Sequence, residues 1–328
     1  MATIIAATGA AGNWTAGSAW VGGVAPTAAD DAQITAATTS ITIDSGAVCR
    51  GADFTGFTGV CTHNAITFNI GDGTAALGNS ALVLVAGMTY TLVNAATSAI
   101  TFKSTSATQQ TITTGGKTIG NFVINGAGSS YKLTDNLTSS GNIFTRAAGT
   151  TFDMTTATTT VTLNAAFVTI TPTVALTFYN LTRTPSAAAK TDSLTLAGDI
   201  TVSNLFTVSD GATVTNRVRV LSSTVGTART ITAASISTSN SDWQDITGAG
   251  AASWDMSADT GGSGNCGGNS MKALGDAAFT TAATQTANGT TSFSWSNAAR
   301  WTSRVPLPQD NVVVNNAFGT SQTVTIDM

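Results

Sequence analysis

The stretch Ala65-Ile66-Thr67-Phe68-Asn69-Ile70 places apolar side chains at Ile66, Phe68 and Ile70, with Thr67 and Asn69 between them. Side chains that alternate between two faces belong to an extended backbone, so this period of two predicts a strand with one buried and one wet face. The pattern returns at Leu82-Val83-Leu84-Val85, Thr89-Tyr90-Thr91-Leu92-Val93, Ala99-Ile100-Thr101-Phe102-Lys103 and Thr160-Val161-Thr162-Leu163-Asn164. Gly, Asn, Ser and Asp separate the runs as turn formers. The runs lie about 7–12 residues apart, too close for the helical crossovers of a βαβ protein.

Composition agrees. The 328 residues include 13 Lys+Arg, 17 Asp+Glu and one His, and every acid is Asp. Charged residues make up 9% of the chain, against roughly 25% in an ordinary globular protein. About sixty Thr and 33 Gly stand where surface helices need Glu, Lys, Leu and Gln. A helical bundle, a coiled coil and a conventional α/β enzyme are excluded. A 42% hydrophobic content and a mean hydropathy of +0.20 exclude simple disorder. What remains is a long all-β chain with a hydroxyl-covered surface.

The net charge of −4 argues against nucleic acid as a partner, because phosphate contacts need clustered Lys and Arg. The one tight basic pair, Arg217 and Arg219, reads as a solvated or Asp-paired strand face. The segment from Met1 to Gly9 lacks a basic, apolar leader pattern, and no run approaches a membrane span. The expectation is a soluble product of the cytoplasm with no membrane insertion, unless a leader has been removed. Cys49, Cys61 and Cys266 form no CxxC and give neither a metal set nor a disulfide framework. A bridge between Cys49 and Cys61 and two free buried thiols both stay open, with free thiols the default.

Two repeats stand out. Trp14, Trp20, Pro26, Asp30-Asp31 and Ile41-Thr42-Ile43-Asp44 are matched by Trp295, Trp301, Pro306, Asp310-Asn311 and Val324-Thr325-Ile326-Asp327. The tryptophans are six residues apart in both, and Pro precedes Asp by four in both. In the middle, Asn142-Ile143-Phe144-Thr145 is echoed 62 residues later by Asn204-Leu205-Phe206-Thr207. That offset equals about three turns of a solenoid with a repeat of about 20 residues.

Evenly spaced short strands suit a sandwich, a propeller or a solenoid. The Trp/Asp motif does not recur at the 40–45 residues of a propeller blade. Asn125-Gly126, Asn288-Gly289, Asp72-Gly73 and Asp210-Gly211 would allow hairpins. Residues 155–168, however, stay β-prone with no hairpin turn. The favoured reading is a parallel β-helix, or β-solenoid, with apolar ladders inside and Thr and Asn ladders outside. Stacking at about 4.8 Å also accounts for the scarcity of charge, since like charges would repel. Residues 1–240 are read as the β-helix array and 241–294 as a Gly/Ser/Ala-rich irregular segment or linker. Residues 295–328 are read as the incomplete start of a second Trp-motif module. A terminal strand leaves an unpaired edge, so the expectation is that the chain continues past 328 or that another chain covers this end.

The motif from Asn13-Trp14 through Asp44, the coils around 115–126 and 135–138, and the stretch from Trp295 to Asp310 resemble β-helical structural proteins of tailed bacteriophages. That group is related to bacterial surface and secreted β-helix proteins. The resemblance covers most of the chain, and its motifs are architectural, with no catalytic signature to transfer. It implies a virion component such as a tail fibre, head fibre or other appendage, assembled in the host cytoplasm. The alternative location is extracellular or on a cell surface.

Asp30 and Asp31 offer two carboxylates to a cation, but the Pro-x-x-x-Asp-Asp turn reads better as a cap on backbone N–H groups. The Gly-rich run 261–269 lacks the Asp of a calcium turn and the Lys-Ser/Thr of a phosphate loop, and reads as a loop. His63 has no nucleophile motif and reads as a turn histidine. Asp192 with Asp210, or Asp242 with Asp245, are the candidate acid pairs of a polysaccharide lyase or hydrolase. The tryptophans at the repeat positions read as plugs of apolar area, with stacking on glycan rings the alternative. The expectation is a rigid, non-enzymatic virion protein with no catalytic residues, cofactor or metal. Its expected partners are copies of itself, other virion proteins and host surface glycan. A glycan-binding adhesin and a β-helical lyase or hydrolase are the rival readings.

Overall fold

The computed structural model describes residues 2–7, 9, 11–186, 191–208, 216–271, 279–289, 291–314 and 322–327. The chain is all-β with long parallel sheets. It divides into two compact units, Met1–Leu181 and Thr182–Met328.

In the first unit consecutive strands visit three sheets in rotation. Asp31–Gln33, Ser40–Ile43 and Val48–Cys49 belong to different sheets. They pair in turn with Gly51–Asp53, Val60–His63 and Thr67–Ile70. Among the described residues the ladders between these strands are parallel, which requires each strand to meet a partner from the previous circuit. From Thr118–Ile119 onward a different sheet takes the second place in the rotation, through Leu137–Ser139, Thr160–Leu163 and Leu176–Arg183. The expected step of about 20 residues is met from Ala32 to Ala52. It lengthens from Phe68 to Ile100, where the intervening corner holds the 3-10 turn Leu77–Asn79. Asp72-Gly73 and Asn125-Gly126 turn corners between sheets and close no hairpin. Asp210-Gly211 lies outside the described residues.

Period two in sequence becomes ladders in space. Phe68, Ile100, Phe122, Phe144 and Ile170 stand in register on one inner face, all buried. The rings of Phe122 and Phe144 stack at 5.0 Å and 16°, and those of Phe122 and Phe152 at 5.3 Å and 23°. On an outer face Asn13, Thr42, Thr62 and Thr91 follow one another. Thr113 and Thr134 join hydroxyls at 2.7 Å. Cys49 and Cys61 are both buried free thiols on different sheets. Burial pushes each thiol up in pKa, which leaves it unreactive.

The second unit alternates between two sheets. Thr191–Leu196, Arg217–Ser222, Ser241–Gln244 and Ser263–Asn265 form one, and Ile200–Val208, Arg229–Thr238 and Ile246–Gly250 the other. The segment read as irregular over 241–294 therefore carries ladder strands up to Asn265, and again at Thr284–Thr286 and Phe293–Ser294, which pair in parallel with Asn311–Val313 and Val324–Thr325. Ser263–Asn265 lies inside the Gly-rich run itself. The central repeat is one of strand pattern only. Phe144 pairs with Phe122 and Ile170, while Phe206 pairs with Ile236 in another sheet.

Phe122→Ala removes a ring packed on three others and is expected to cost about 3–5 kcal/mol. The neighbouring outward change Val123→Thr should stay within about 0.5 kcal/mol. Urea unfolding of the two variants beside wild type measures both.

Candidate interface: the duplicated tryptophan module

The two Trp motifs fold alike, bond for bond. Trp20 Nε1 donates to Trp14 O at 2.7 Å, and Trp301 Nε1 donates to Trp295 O at 2.8 Å. The ring pairs lie at 5.0 Å and 4.8 Å. Each second tryptophan closes a short 3-10 turn, Gly17–Ala19 or Ala298–Arg300, and bridges an alanine, Ala6 or Ala287. Thr15 donates its N–H and hydroxyl to Asp44 at 3.0 and 2.5 Å, and Ser296 does the same to Asp327 at 3.0 and 2.7 Å.

Asp30 accepts from the N–H groups of Ala2 and Thr27, and Asp310 from those of Ala283 and Leu307. The Thr27 hydroxyl and N–H hold Asp30 below the usual carboxylate range. Asp310 is raised by burial and lowered more by Arg304 and the two N–H groups, so it too lies below that range. Pro26 and Pro306 are both buried.

The modules differ in what lies on their far side. In the first, Asp31 is buried and paired with Arg50, whose Nε donates at 3.1 Å. Arg50 stands one circuit later, beside Gly51. A Cβ on Gly51 would lie 2.6 Å from Ala76 Cβ and 3.1 Å from Asp31 Oδ1, so only glycine leaves room for the pair. Trp14 is fully buried, donates to Val48 O at 3.0 Å and packs on Phe68 at 4.8 Å. In the second module Asn311 replaces Asp31, and Arg304 pairs with Asp310 instead. Trp295 is half-buried, and its indole N–H has no partner among the described residues.

His63 is not a turn residue. It ends the strand Val60–His63 in the core, next to Phe68. Its Nε2 lies 3.2 Å from Ile66 O, which only accepts, so Nε2 carries the proton. Nδ1 then accepts from Tyr90 Oη at 2.8 Å. Burial lowers the His63 pKa to about 4.

The candidate acid pairs are committed elsewhere. Asp242 accepts two bonds from buried Arg217 at 2.9 and 2.8 Å. Asp245 accepts from Gly226 N, and Asp192 from Ser186 N. Asp210 lies outside the described residues. Arg219 bonds Gln244. Among the described residues no three His, Cys or Asp side chains gather where they would hold a metal ion. Trp20, Trp243, Trp254 and Trp301 are buried with Trp14, which leaves Trp295 as the one tryptophan with an accessible face.

Sequence reasoning missed Arg50, Val48 and Tyr90. Their signal was register: each stands about one circuit from the residue that it serves. No protein-family model matches the chain, and no curated protein or solved structure matches it.

Asp31→Ala strands a buried guanidinium and is expected to cost about 3–5 kcal/mol, with most of it recovered in the double variant Asp31→Ala, Arg50→Leu. Chemical denaturation of the single and double variants tests the coupling. His63 binds a proton near pH 6.5 when unfolded but only near 4 when folded. Stability is therefore complete above pH 6.5 and falls as pH drops towards 4, by on the order of 3 kcal/mol. His63→Gln should flatten that limb in urea midpoints measured across the range.

Proposed function

We propose that this chain is a parallel β-solenoid and a non-enzymatic structural protein of a tailed-phage virion, part of a fibre or another appendage. One observation carries the non-enzymatic reading. Leaving aside Asp210 and Asp276, which lie outside the described residues, every Asp is held by a backbone N–H, a hydroxyl or an arginine. Acids are the groups on which sugar cleavage depends, and an acid tied to the backbone at a corner is fixed in place by the fold rather than aimed with a second acid at a common point.

The same observation accounts for the absence of Glu. Asp reaches the N–H two or three residues along its own chain, as Asp153 does with Thr155 and Thr156, and a longer side chain does not fit that turn. The solenoid reading is supported by the rotation of strands among sheets and by the parallel ladders among the described residues. The virion reading is supported by the resemblance of the duplicated Trp/Pro/Asp module to phage β-helix proteins. Stacked strands with hydroxyl ladders outside make a stiff body that needs no charged coat. On this reading the protein associates with its own copies and with other virion proteins. Trp295 with its accessible face favours host glycan as a secondary ligand.

Antibodies to the purified chain are expected to decorate an appendage of intact particles in immuno-electron microscopy, and its peptides to appear in the mass spectrum of washed virions. A protein found only in the soluble lysate, or one that releases reducing or unsaturated sugar ends, overturns the proposal.

A further inference from the structure

A cavity of about 400 Å³ lies in the second unit, between the turn at 259–262 and the loop that follows Trp301. Its size suits a small molecule. Ala298, Val305, Pro306 and Leu307 give it an apolar wall. Gly262 keeps it open, because a Cβ there would lie 2.8 Å from Leu307 Cδ1 and 3.3 Å from Thr280 Oγ1. All of its lining residues fall between 217 and 307, so the strand edges of Asn311–Val313 and Val324–Thr325 take no part in it. Val24 is the counterpart of Val305, four residues after its own tryptophan. It is still 61% exposed although many circuits follow it, so later circuits leave this side of the module uncovered.

Three charged side chains line the cavity, Arg217, Arg304 and Asp259. Two arginines would suit an anion, but both are already committed. Arg217 gives Nε and Nη2 to Asp242 at 2.9 and 2.8 Å, and its Nη atoms also donate to the carbonyls of Ser241, Gly261 and Gly262. Arg304 is paired with Asp310 and donates to Thr281 O at 3.0 Å. Each positive charge is neutralised where it stands.

Asp259 is different. Its Oδ2 accepts from the hydroxyls of Thr238 at 2.5 Å and Ser263 at 2.6 Å. Its Oδ1 accepts from none of the described groups, and no cation pairs with it among them. Burial raises its pKa more than the two hydroxyl bonds lower it. A carboxylate that burial disfavours, with no cation to offset the cost, gains from a positive ligand. The hydroxyls of Ser303 and Thr280, also on the lining, each keep a lone pair for a further donor.

We propose that this cavity binds a small organic ammonium, a primary amine on a short apolar stem. The ammonium sits against Asp259 Oδ1, and the stem lies along Val305, Pro306 and Leu307. The carboxylate selects the charge, and the apolar wall supplies the rest of the affinity.

The test titrates the full chain by calorimetry with n-pentylammonium, n-pentanol and pentanoate, which share a stem and differ in charge. The amine is expected to bind, and the alcohol and the acid to bind about tenfold or more weaker. Asp259→Asn keeps the size of the side chain and an oxygen for the Thr238 and Ser263 hydroxyls, and is expected to bring the amine down to the level of the alcohol. Ala298→Phe, at an exposed position on the wall, is expected to abolish binding with Asp259 intact, and circular dichroism checks that each variant is folded. N-acetyl-lysine methylamide separates two sources of the same chemistry. Tighter binding than n-pentylammonium assigns the site to a lysine of a partner protein, and weaker binding assigns it to a free amine. No binding of either amine, equal binding of amine and alcohol, preference for pentanoate, or unchanged amine binding in Asp259→Asn overturns the inference.

Discussion

Parallel stacking in near-constant register is the constraint on which everything else rests. A residue on one circuit lies about 4.8 Å from its counterpart on the next. Side chains that attract their own kind are therefore retained, and side chains that repel it are lost. Phe over Phe, Ile over Phe and Thr over Thr satisfy that rule, as the ladders through Phe122 and through Thr42 do. Glu over Glu or Lys over Lys would not. The low charge and the wealth of Thr are consequences of the stack.

Corners pose the opposite problem. Each circuit leaves the sheet several times, and each departure frees backbone N–H groups that must find acceptors. Asp is a recurrent acceptor, joined by Asn at Asn121, Asn136 and Asn269 and in places assisted by a Thr or Ser hydroxyl one circuit away. Thr114 and Gly115 bonded to Asp135 are one example. This division of labour, hydroxyls and apolar residues along strands and carboxylates at bends, leaves few groups for chemistry. Two of the buried charges come as ion pairs, Asp31 with Arg50 and Asp242 with Arg217, while buried Asp245 is held by a backbone N–H and buried Arg183 by backbone carbonyls. A lone ion in the core would cost several kcal/mol.

The duplicated module shows how one local design serves two surroundings. Its internal bonds, indole to carbonyl and Asp to paired N–H groups, are the same in both copies. They are satisfied within the module and need nothing from outside. Its far side has no such self-sufficiency. The first copy is completed by the strands that follow it, and Asp31 exists there because Arg50 arrives one circuit later. The second copy has Asn311 at that place and Val where the first has Ala32, so its surface is more apolar and carries no fixed charge partner.

The sequence by itself determined the all-β class, the strand faces and the equivalence of the two Trp modules. Alternation and fixed spacings are local properties, and backbone geometry converts them directly into faces and turns. It also pointed to Asp30 and Asp310 as caps, because Asp four residues after Pro is a turn signal that works over a few bonds. Only the tertiary structure decided which strands are neighbours. It placed Ile143–Arg146 and Ile200–Val208 in different sheets despite their shared pattern, and it carried ladders through 241–265 where Gly and Ser suggested a loop. It also moved His63 from a turn into the core against Tyr90. Those outcomes depend on circuit length, which corner insertions change by ten residues or more without altering the strands. A residue one circuit away is close in space but about as far in sequence as any stranger, so register and burial of polar partners become visible only when the coils are stacked.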